Sequence, residues 1–81
     1  MSLSEQIRII EEVAVALGGT LHEDYSGRWM FGATCLGIVC ADPQAAIEEA
    51  AARGLRDSSH DHMGKDYIVY WPHIKRPSAQ K

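Results

Sequence analysis

The segment TCLGIVC (34–40) is apolar on both faces of an extended strand, so it belongs in the middle of a sheet. For a chain of 81 residues one domain is expected, with no second one to cover such a strand. Its strongest companion is DYIVYW (66–71), rich in β-branched and aromatic residues and closed by Pro72. TLHEDY (20–25) is short and mixed, and LRDSSH (55–60) reads as a polar, exposed strand.

Two helix patterns separate these strands. Leu3, Ile7, Ile10, Ala14 and Leu17 recur at three- and four-residue spacing and predict a helix over 3–17. Ser2 and Glu5 match a capping box, and Gly18–Gly19 supplies the stop. Ile9, Val13 and Val15 widen its apolar face. A second helix is expected over about 43–53, with Asp42 as N-cap, Pro43 in the first position and Gly54 as terminator. The order is helix–hairpin–helix–hairpin. It predicts an α+β two-layer sandwich, αββαββ, with a four-stranded, mainly antiparallel sheet and both helices on one face. That is the ferredoxin-like order with its first strand moved to the end. A five-stranded sheet, with 28–32 as its own short strand, is the alternative.

The expected domain covers 1–74, and KRPSAQK (75–81) reads as a flexible basic tail. The net charge of −3 hides a split, because residues 1–74 hold five basic and eleven acidic groups. An acidic body is a poor match for a phosphate backbone and suits a protein with a basic surface. No apolar run approaches the length of a membrane span, and the start MSLSEQIRII lacks the pattern of a signal peptide. A cytoplasmic protein is expected. Cys35 and Cys40 lie about 16 Å apart along one strand and face opposite ways, too far apart to pair with each other.

Two Gly-rich connections carry the remaining chemistry. Residues 26–33 would join the first two strands, and SHDHMGKD (59–66) the last two. Internal symmetry places both at one end of the sheet, where they would gather Tyr25, Arg28, Trp29, Phe31, His60, His62 and Lys65. Trp29, Met30 and Phe31 have a bland role as core, expected for at least two of the three. In a strand, however, three consecutive apolar residues cannot all face one side. Either Tyr70 or its neighbours Val69 and Trp71 would join the outer sheet face, and the surplus aromatics there would need cover from a binding partner or a second copy. Arg28 between Gly27 and Gly32 could grip a small anion, although neither a P-loop nor a G-x-G-x-x-G motif occurs. His60 and His62 could face one way with Asp61, Asp57 or His22 nearby, but no second spaced cluster supports a metal site. No metal and no cofactor is therefore expected. Cys35 as a nucleophile beside a histidine is disfavoured by its apolar strand, so no enzymatic activity is expected.

SGRWMFG (26–32), LGIVC (36–40) and DHMGKDYIVYWP (61–72) make residues 20–72 similar to short accessory proteins of phages and bacterial mobile elements. The resemblance carries no catalytic residues. It implies action by binding, either blocking a host nuclease complex in the manner of an anti-CRISPR protein or sequestering a nucleotide signal. Two functions are thus expected in order. The first is a non-catalytic protein-binding module that inhibits a bacterial defence complex. The second is a small-ligand or nucleotide binder using the two Gly-rich turns. Nucleic acid and membrane are not expected partners.

Overall fold

The computed structural model describes residues 1–27 and 29–77. It is a small α+β protein of two helices and a four-stranded antiparallel sheet. The elements run α1 (Leu3–Leu17), β1 (Thr20–Tyr25), β2 (Cys35–Cys40), α2 (Pro43–Ala52), β3 (Ser59–Met63) and β4 (Asp66–Trp71). In space the strands lie β1-β2-β4-β3.

The helix ends follow local chemistry. The Ser2 hydroxyl accepts from the Glu5 N–H at 3.1 Å, and the Glu5 carboxylate accepts from the Ser2 N–H at 2.9 Å. Gly18 closes α1 in the left-handed conformation, φ 66°. Asp42 caps α2 by accepting from the Ala45 N–H at 3.2 Å. Arg53 is the C-cap, and Gly54 turns the chain at φ 94°.

Strand register sorts the sheet residues by face. Leu36 pairs with Trp71, Ile38 with Val69 and Cys40 with Tyr67, all on one side. The buried residues of that side form one core with Ile7, Ile10 and Val13 of α1 and Ala46 and Ala50 of α2. The alanines let α2 approach the sheet closely. Gly37–Tyr70 and Val39–Ile68 pair on the opposite side. There Ile68 fills the space above Gly37, where an added Cβ would lie 2.8 Å from Ile68 Cδ1.

Several expectations change. The third strand is not 55–60 but Ser59–Met63. Leu55 is drawn into the core, its N–H bonded to the Ala50 carbonyl at 2.8 Å, and Asp57 turns the chain at φ 67° before the strand starts. The connection to β4 is therefore only Gly64–Lys65, and His60 and His62 lie in a strand rather than a turn. Residues 29–32 form turns and a bend, not a fifth strand. Val15 does not widen the buried face; it is 82 % exposed. Ile74 is fully buried and accepts from the Leu36 N–H at 2.9 Å. Arg76 is held by Glu11 and Glu23, each at 2.9 Å. The rest of the expected tail, 78–81, lies outside the described residues, as does Arg28.

Candidate functional site: an aromatic loop at one pole of the sheet

The connection from β1 to β2 is built as two successive turns. The Met30 N–H donates to the Gly27 carbonyl at 3.1 Å, and the Ala33 N–H to the Met30 carbonyl at 3.0 Å. Met30 points inward. Its thioether accepts from the Gly27 N–H at 3.1 Å and lies 3.9 Å from the Cys35 thiol. Gly27 is buried against the Tyr70 ring, and a Cβ there would come within 3.1 Å of the phenol oxygen. The loop is thus seated on the sheet by Met30 and Gly27. Its neighbours Trp29 and Phe31 are turned out, 76 % and 92 % exposed. Phe31 takes a left-handed backbone, φ 54°, and Gly32 follows at φ 90°.

This arrangement corrects the expectation that at least two of Trp29, Met30 and Phe31 complete the core. Only Met30 goes inward. Strand alternation does not govern the three residues, because they lie in turns. At the foot of the loop the Tyr25 ring leans on that of Tyr70 at an interplanar angle of 49°, centroids 4.7 Å apart, and His22 meets Tyr25 edge-on at 5.8 Å. A one-residue irregularity in β1 between His22 and Tyr25 brings Tyr25 to this face, opposite Cys35. The loop pole therefore gathers Tyr25, Trp29, Phe31 and Tyr70.

The other candidates lie elsewhere. Because β2 and β4 are antiparallel neighbours, the two hairpin connections sit at opposite ends of the sheet, not at one end. Lys65 is at the far pole. His60 and His62 lie on edge strand β3, on the side that bears Val69 and Tyr67, and the His62 ring lies tilted against Tyr67, centroids 4.9 Å apart. Asp61 faces the other way, so it cannot join them on one strand face. Among the described residues no group of three or more metal-binding side chains gathers.

Neither cysteine has an environment that favours a thiolate. Cys35 is fully buried under the loop, and desolvation pushes its thiol up to about 11. Cys40 is also buried, and its pKa is raised chiefly by desolvation. On the helical side, a shallow groove lined by Glu11, Glu12, Val15, Ala16 and Arg53 is bridged by ion pairs from Arg53 to Glu12 at 3.0 Å and to Glu49 at 2.9 Å. Trp29 and Phe31 lie in the connection that the sequence places over 26–33 between Gly27 and Gly32; what sequence reading missed is that both rings turn out, because it judged their direction by strand alternation.

Comparison with protein-family models, with curated proteins and with solved structures finds no match to this chain. Among the described residues no helix is long and apolar enough to cross a membrane.

Proposed function

We propose that this chain is a non-catalytic binding module that docks on a protein through the loop pole, with Trp29 and Phe31 as anchors. One observation carries the reading: two large rings project from a loop whose third apolar side chain is pinned inward. Phe31 is held outside in a left-handed conformation, and such backbone outliers cluster at functional sites. Exposed Trp beside Tyr is the composition of interface hot spots. Asp24 is exposed close by, and the body is acidic overall, so the partner has an apolar pocket with a basic rim. Inhibition of a bacterial defence nuclease complex fits that chemistry, because such complexes hold nucleic acid in basic grooves.

The supporting frame is an αββαββ sandwich with both helices against one sheet face. The strand order β1-β2-β4-β3 and the single core shared by both helices support it.

The test is co-purification from host lysate with wild type and a Trp29→Ala/Phe31→Ala double variant, followed by a nuclease assay on the recovered complex. A specific partner held by wild type, lost by the variant and inhibited only by wild type is the expected result. Equal recovery by both proteins would remove the loop from the interface. The nucleotide-binding alternative is weakened by the placement of Lys65 at the opposite pole and by the packing of the Tyr25 ring against Tyr70. A thermal-shift screen of nucleotides that leaves Tm unchanged would dispose of it.

A further inference from the structure

Strand β3 is an open edge of the sheet. Its register with β4 is regular from Ser59 to Met63, whereas the other edge, β1, is interrupted between His22 and Tyr25. Natural edges are blunted by bulges, prolines or lysines, and SHDHM contains none of these. The same strand presents His60 and His62, two residues apart on one face and both exposed. Neither imidazole makes a hydrogen bond among the described residues; His62 has only its ring contact with Tyr67.

We propose that Zn²⁺ joins two copies of this chain edge to edge through β3, held by His60 and His62 of each copy. The donor count leads to this assembly. Zinc bound by imidazole is tetrahedral and takes four ligands in a closed site. One copy offers two at this place, and no third gathers with them among the described residues. Antiparallel pairing of two β3 strands, centred on Asp61, sets His60 of one copy opposite His62 of the other, twice, on the same face. The four side chains then stand at the corners of a rectangle. Its sides are about 6.6 Å along the strand and about 5 Å across it. A metal at about 2.0–2.1 Å from each ring nitrogen sits above its centre.

The opposite face explains why the edge needs the metal. There Asp61 meets Asp61 of the second copy, and like charges directly opposite destabilise a strand pair. Each copy also carries a net −3. A dication offsets that repulsion on the face where it binds.

Light scattering of the full chain in chelator and then in Zn²⁺ tests the proposal. Mass should double in Zn²⁺ with one metal per two chains, and return to the starting value on adding EDTA. His60→Ala and His62→Ala should each abolish the doubling. Both side chains are exposed, and an unchanged melting curve in chelator verifies that the variants fold. Asp61→Asn should lower the zinc concentration needed, by roughly tenfold for each 1.4 kcal/mol of repulsion removed. The Trp29→Ala/Phe31→Ala variant should still double, which separates this edge from the loop pole. Zinc bound without a change in mass, no zinc bound, or doubling that survives in a His60→Ala/His62→Ala double variant would each overturn the proposal.

Discussion

Phe31 costs the fold something it does not recover internally. A left-handed backbone is unfavourable by about 1–2 kcal/mol for a residue with a Cβ, and the ring is exposed in return. Phe31→Gly relieves that strain but adds freedom to the unfolded chain, so the two effects partly cancel. The variant should be as stable as wild type or up to about 1 kcal/mol more stable in urea unfolding, while partner binding is lost. Gly19 is the reverse case. A Cβ there would meet the Val39 carbonyl oxygen at 2.8 Å and Ile38 Cγ2 at 2.9 Å. The oxygen belongs to the backbone of a paired strand and cannot step aside, so Gly19→Ala should destabilise by about 1–3 kcal/mol, read as a fall in Tm. Cys35 gives a chemical check on the seated loop. Its thiol stays protonated at pH 8 and is shielded by Met30, so a thiol reagent should label it slowly in the native protein and rapidly in denaturant. From the sequence, the burial of Cys35 and the inertness of its thiol could be read from the apolar strand alone. The outward turn of Trp29 and Phe31 could not, because hydrophobicity favours burial and only the local turn hydrogen bonds decide otherwise.

Helix α1 was legible from end to end because its signals are local: a capping box, an apolar stripe and a terminal glycine. Ser2→Ala should remove the cap and cost about 1 kcal/mol in thermal unfolding. Glu5 makes the same cap depend on pH. Its pKa is lowered first by the hydrogen bond from the Ser2 N–H, so the folded state prefers the carboxylate. That contribution is fully present above the ordinary glutamate range and is lost as pH falls through the lowered value. A Glu5→Gln variant should flatten this part of the acid limb. Strand β3 shows the opposite situation. Its polar residues alternate no better than a loop does, and its existence depends on the hydrogen-bonding groups of β4 beside it. Leu55, which opens the strand expected over 55–60, is instead a core residue following α2.

Across the whole molecule, charge is arranged by long-range pairs that composition does not reveal. Arg76 reaches Glu11 on α1 and Glu23 on β1, and Arg53 reaches Glu12 on α1 and Glu49 on α2. The two arginines tie neighbouring elements together on a surface that the sequence shows only as part of an acidic body. Each pair is exposed, so Arg76→Ala should cost no more than about 1 kcal/mol per bridge, and less in high salt. Two helices and a four-stranded antiparallel sheet could be inferred from hydrophobic period and turn residues. The end at which each hairpin lies could not, because apparent repetition between the halves suggested one end and the antiparallel β2–β4 pairing sets two. That polarity has a practical corollary for any handling of the protein. A fluorophore, affinity tag or surface tether grafted at Gly64–Lys65 would stand at the far extremity from Trp29 and Phe31, leaving the aromatic tip unobstructed for whatever it grips.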